Sequence, residues 1–100
     1  MATRKDGPHI PPAYDVATAG AIQALGRGDA SEGQQKLALK WIIETGAGAY
    51  EFNYYPSDRD TAFALGRAFV GQQIVKLLRL NLMALRSAKD VQKEIRLSEA

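Results

Sequence analysis

From Pro56 to Ala100 the chain contains no further proline, and that long run admits one dominant reading. Phe63, Gly66, Val70, Ile74, Leu77, Ala84, Ala88, Val91 and Ile95 follow three-and-four spacing, interrupted only at Asn81, the period of an apolar stripe on a helix. Pro56-Ser57-Asp58-Arg59-Asp60 opens it, with Ser57 and Asp60 at capping-box spacing. The pattern predicts a C-terminal helix over about residues 58–97, up to about 39 residues and about 58 Å long. Ser87-Ala88-Lys89-Asp90 is the place where a bend and a new cap are expected. A helix of that length is too long for a 100-residue monomer to cover. Its middle, Ile74, Val75, Leu77, Leu78, Leu80, Leu82, Met83 and Leu85, is apolar beyond one stripe, which marks a helix buried on more than one side. Two preceding helices are expected to cover one side and self-association the other, so Leu78, Leu80, Leu82, Met83 and Leu85 are the candidate protein interface.

Upstream, Val16, Ala19, Ile22 and Leu25 share one face of a short helix that begins between Pro12 and Asp15 and stops at Gly26-Arg27-Gly28. Asp29-Ala30-Ser31-Glu32 has capping-box form with Asp29 as the cap, and a second helix over about 30–45 follows. Gly46-Ala47-Gly48 ends it. Tyr50, Phe52 and Tyr54 then alternate with Glu51 and Asn53, the period-2 signature of one short strand or of a loop that packs its aromatic rings on the helices. Residues 1–12 hold three of the four prolines and read as an extended arm that buries little on its own chain. The expected architecture is therefore all-α: an arm over 1–12, then a single helical domain over 13–100, a short bundle with a long last helix.

The absence of cysteine removes disulfides, thiolate zinc sites and a cysteine nucleophile, and fits a reducing compartment. His9 is the only histidine, so one chain cannot assemble a His-based triad or a multi-histidine metal site. Asp58 and Asp60 flank Arg59 at a helix start, where carboxylates favour the helix dipole without any catalytic role. Arg27-Gly28-Asp29 serves as a turn and cap. Gly66 and Gly71 lack the Lys-Ser/Thr pair of a phosphate loop, and with Ala62, Ala64 and Ala68 they read as small residues that admit another helix closely. Tyr50, Phe52, Tyr54 and Tyr55 lack interleaved basic residues, which favours packing over base stacking. No enzyme activity and no cofactor is expected. The opening residues show no apolar leader, and the apolar stretch interrupted by Lys76, Arg79 and Asn81 does not suit a bilayer.

Charge is uneven. Residues 1–60 carry six basic and eight acidic side chains, residues 61–100 seven and three, and no carboxylate falls between Thr61 and Lys89. On a continuous helix at 100° per residue, Arg79, Arg86 and Lys93 share a 40° strip, with Lys89 and Arg96 beside it. Such a ridge can follow phosphates with salt-sensitive, sequence-independent affinity. Asp90 and Glu94 compensate part of it.

Three segments, Trp41-Ile42-Ile43-Glu44, Tyr50 to Tyr54 and Asp60-Thr61-Ala62-Phe63-Ala64-Leu65-Gly66-Arg67-Ala68-Phe69-Val70-Gly71, resemble a family of small tailed-bacteriophage proteins first delineated in a Bordetella phage. The likeness covers about residues 34–80: apolar helix, aromatic linker, then a helix with a Gly-Arg and a Val-Gly step. It implies a phage or prophage origin without enzyme activity. The resulting expectation is a virion-assembly protein that oligomerises and docks on head or portal proteins, in the virion or in the host cytoplasm during assembly. The alternative is a DNA-packaging protein of the small-terminase kind that binds DNA through Arg79, Arg86, Lys89, Lys93 and Arg96.

Overall fold

The computed structural model describes residues 7–88, and these form an all-α fold. Helix α1 spans Val16–Arg27. Asp15 caps its start, the carboxylate accepting from the Thr18 amide at 2.7 Å. Its end is a Schellman turn: Gly28 adopts φ 80°, its amide donates to Leu25, and the Asp29 amide donates to Ala24. That turn corrects the expected start of the next helix. Asp29 is committed to closing α1, and its side chain meets Arg27 Nε at 3.3 Å. The capping box forms two residues later, with Ser31 Oγ accepting from the Gln34 amide and Gln34 Oε1 accepting from the Ser31 amide. Helix α2 accordingly spans Glu32–Trp41.

Without a break, α2 widens into a π-turn at Ile42–Gly46, closed by the Ala47 amide donating to the Ile42 carbonyl at 2.8 Å. An irregular segment leads to α3, Asp58–Arg79, whose cap Ser57 accepts from the Asp60 amide. Residues 47–57 contain no strand, so of the two expectations for the aromatic segment the loop is the one observed.

The expected unbroken C-terminal helix ends early. Leu80 is extended, with ψ 140°, and residues 82–88 are helical again. Asn81 makes the break, its side-chain oxygen accepting from the Ala84 amide at 3.1 Å, as a new N-cap does. The interruption therefore lies at the polar residue within the apolar run and not at Ser87. Residues 89–97 of the expected helix lie outside the described residues.

The core is thin. Its buried apolar residues, among those described, are Pro8, Ala21, Ala24, Ala38, Ile43, Ala47, Ala64 and Ala68, and a methyl contributes only about 0.8 kcal/mol on burial. Helices α1 and α2 pack on each other, with Ala21, Ala24 and Ala38 buried. Helix α3 packs on the π-turn and on neither α1 nor α2, so the expectation that two helices cover one side of it does not hold. The approach is close at Gly71, where a Cβ would stand 2.8 Å from the Ala47 Cβ and 2.9 Å from that of Ala49. Of the small residues expected to admit a neighbour, Ala64, Ala68 and Gly71 do so, whereas Gly66 faces open space.

Two stability tests follow from these contacts. Gly71→Ala should cost about 1–3 kcal/mol by overpacking, whereas Gly20→Ala, with nothing within 4 Å of its Cβ, should gain up to about 1 kcal/mol; denaturant melts of both at equal concentration decide it. The amide of Thr18 holds the Asp15 carboxyl below its ordinary pKa, so this cap stabilises above the unfolded value and is lost as pH falls through the folded one. Asp15→Ala should therefore melt below the parent at neutral pH, with the gap closing in strong acid.

Candidate assembly surface

Arg67, on the Gly-Arg step of α3, organises everything the π-turn does not. Its Nε donates to the Ala47 carbonyl at 2.9 Å and Nη1 to the Pro8 carbonyl at 2.8 Å. Nη2 reaches Glu51 Oε2 and Asn53 Oδ1, each at 3.3 Å. The guanidinium and the Glu51 carboxylate are both largely withdrawn from solvent, which strengthens their attraction and raises the cost of separating them. Gly48 makes room: at φ 64° it occupies the left-handed region, and a Cβ there would meet Glu51 Oε2 at 2.6 Å and Arg67 Nη2 at 2.8 Å.

This cluster sets the orientation of the aromatic loop. Asn53 is buried and its amide donates to the carbonyls of Gly48 and Glu51. Thr61 exchanges two hydrogen bonds with the backbone of Tyr55, at 2.8 and 3.1 Å. With Glu51 and Asn53 turned inward, alternation turns Tyr50, Phe52 and Tyr54 outward, and all three are exposed. The expectation that the loop packs its aromatics on the helices is thus inverted. Phe52 and Tyr54 hold each other, ring centroids 5.6 Å apart.

Within the described part of the arm, one residue is tied to its own chain, although the arm reads as burying little there. Pro8 is fully buried, its carbonyl bound by Arg67, and just past the arm the Ala13 carbonyl accepts from Trp41 Nε1 at 2.9 Å. His9 and Ile10 remain exposed.

Outward of this frame lies a large apolar surface. The stripe read as core has Phe63 51%, Val70 58% and Leu77 66% exposed, because the face turned to the π-turn is the alanine face instead. Phe69 is exposed as well. Of the candidate interface, Leu78, Leu82 and Met83 are exposed and Leu80 and Leu85 half-buried. Of the candidate nucleic-acid residues, Arg79 and Arg86 are exposed, but the extended Leu80 between them removes the common helical phase that the 40° strip assumed. Lys89, Lys93 and Arg96 lie outside the described residues. Arg67 belongs to the interior rather than to the basic surface.

Asp58 is exposed and Asp60 half-buried at the start of α3, where they act on the helix dipole. An open apolar groove of about 250 Å³ runs beside Trp41, lined by Tyr14, Thr18, Ala19, Ile22 and Gln23; its lining suits contact rather than proton transfer. Among the described residues no group of three or more His, Asp or Glu is placed to hold a metal ion, and no helix is long and apolar enough to cross a membrane. Compared with known protein families, curated proteins and solved structures, the chain matches none.

Sequence reasoning missed Arg67 as a hub, although the stretch fourteen to nineteen positions upstream, with Gly48, Glu51 and Asn53, carried a signal: a glycine followed by two inward-phased polar residues. Arg67→Lys should cost about 2–4 kcal/mol, since one ammonium cannot serve four acceptors in a fork. Deleting residues 1–12 should lower the melting temperature as well, and by less in the Arg67→Lys background, because both changes remove the same Pro8 bond. Thermal melts of the two single variants and the combination, at one protein concentration, check the coupling.

Proposed function

We propose that this chain is a non-enzymatic assembly subunit of a tailed phage or prophage, one that self-associates and docks onto a larger head or portal assembly in the host cytoplasm or the virion. The observation that carries the reading is an imbalance: the described interior is mostly alanine, while Phe63, Phe69, Val70, Leu77, Leu78, Leu82 and Met83 face outward. Large contiguous apolar surface on a small domain marks contact with other macromolecules. Exposed aromatics on a pinned loop fit that use, since rigid Tyr and Phe side chains lose little entropy when they anchor an interface. The phage assignment rests on the likeness over residues 34–80.

Light scattering at tens of micromolar should give a helical oligomer, and Leu78→Glu/Leu82→Glu should lower its mass while circular dichroism keeps its helix content. A monodisperse helical monomer of the parent chain overturns the proposal. The packaging alternative makes the opposite forecast on salt: tight duplex DNA binding at physiological salt, weakened by Arg79→Glu/Arg86→Glu with a shallower slope of log affinity against log salt by about 0.9 per lost phosphate contact. We expect little binding in that titration, and tight binding would replace the docking reading with the packaging one.

A further inference from the structure

Helix α3 carries two apolar faces on nearly opposite sides. Ala64, Ala68 and Gly71 are buried and fall within a strip about 60° wide at 100° per residue. Phe63, Gly66, Val70, Gln73 and Leu77 form a second strip about 80° wide, about 150° round the helix from the first. The second strip has the alternating three-and-four spacing of a two-helix seam, and Phe63, Val70 and Leu77 on it are each more than half exposed. Gly66 on the same strip has nothing within 4 Å of its Cβ position, so the seam is open there as well, and Gln73 is half-buried.

Building on the self-association proposed above, we infer that this strip pairs with the same strip of a second copy, antiparallel, about a two-fold axis at Val70. Three features of α3 favour that occupant and that direction. First, charge is concentrated at the helix ends: Asp58, Arg59 and Asp60 occupy the first turn, two carboxylates against one guanidinium, and Lys76 and Arg79 the last. Between them the only ionic side chain is Arg67, which is turned into its own chain. An antiparallel partner sets each acidic end beside a basic end, whereas a parallel one stacks like charges. Second, the helix dipoles oppose each other in the same arrangement, adding to the attraction.

Third, the side-chain volumes match only in that direction. With Val70 opposite the partner's Val70, Phe63 stands level with the partner's Leu77, and the vacancy at Gly66 stands level with the partner's Ile74 and one residue, about 1.5 Å, from the level of its Gln73. Parallel pairing sets glycine against glycine and glutamine against glutamine, leaving a void in one layer and crowding in another, both of which weaken a packed seam. The antiparallel pair is isologous and closes on itself. It leaves Tyr50, Phe52 and Tyr54 for contact with the larger assembly, and Leu78 and Leu82, just past Leu77, for further contact between copies.

The chain has no cysteine, so single introduced thiols report on direction. In the antiparallel pair position 63 lies about 21 Å from its own counterpart, fourteen residues at 1.5 Å each, which is beyond the roughly 7 Å that a disulfide can bridge between Cα atoms. Under mild oxidation Val70→Cys alone should give a covalent dimer. Phe63→Cys and Leu77→Cys should cross-link when mixed, and mixed product should exceed self-linked product by roughly tenfold. Each variant is weighed by light scattering beforehand so that loss of association is seen directly. Self-linked Phe63→Cys and Leu77→Cys without the mixed species would show a parallel seam and overturn the inference. Failure to cross-link at all three positions in a protein that remains oligomeric would place the contact elsewhere and overturn it too, with the self-association reading intact. A monomeric parent chain sinks both.

Discussion

One guanidinium binds together four parts of the chain that the thin apolar core alone does not orient. Ala47 ends the π-turn, Pro8 belongs to the arm, and Glu51 and Asn53 belong to the loop; all four meet Arg67 of α3. The reason for a polar hub is visible in what surrounds it. Alanine methyls and a single isoleucine supply too little buried area to orient a 22-residue helix on their own. Directional bonds to a planar fork, in contrast, fix distance and angle at once. Lysine, with one point charge, has no equivalent geometry.

An inward Arg67 has an outward consequence. Each polar group it draws from the loop turns the neighbouring aromatic side chain to solvent, so the clamp and the aromatic display at Tyr50, Phe52 and Tyr54 are one feature seen from two sides. The same exchange operates on α3. Small residues let the helix lie within van der Waals contact of the π-turn at Gly71, and the larger residues, Phe63, Val70 and Leu77, are left on the far side. The chain spends its small and polar residues on internal contacts and keeps its bulky ones for the surface, the reverse of a self-sufficient monomer.

Local signals in the sequence were sufficient for the all-α class, for the ends of α1 and for the start of α3, because each rests on side chains within a few positions of the backbone they cap: Asp15, Gly28 and Ser57. The cap of α2 was misplaced by two residues since Asp29 can serve either turn, and only the Schellman bonds decide which. The break at Leu80 and Asn81 was legible as an interruption of the apolar run, yet not as a cap, because asparagine is tolerated within helices and becomes a stop only when its side chain takes a backbone donor. Which face of α3 is covered was not legible at all. Periodicity finds apolar stripes by size and hydrophobicity, and here the covered face is made of alanine and glycine while the more apolar stripe is the free one. Arg67 and Glu51, sixteen residues apart, have no pattern that announces their pairing.

A thin interior and a wide apolar exterior together link folding to association. Whatever binds the native surface and not the unfolded chain stabilises the fold by mass action. On the proposed reading, a protein with so little burial among its described residues would draw a large share of its stability from the surfaces it docks on. Helix α3 is where that link is strongest, since beyond Gly71 it extends past the π-turn with Leu77 and Leu78 exposed and with nothing from α1 or α2 against it. The extended Leu80 then redirects the chain before Leu82 and Met83, so the apolar surface turns a corner rather than continuing along one line. A straight helix would present a single seam, suited to one partner helix. A seam followed by a capped turn presents two apolar surfaces in different directions, a geometry that suits the proposed combination of self-association and docking on a larger body.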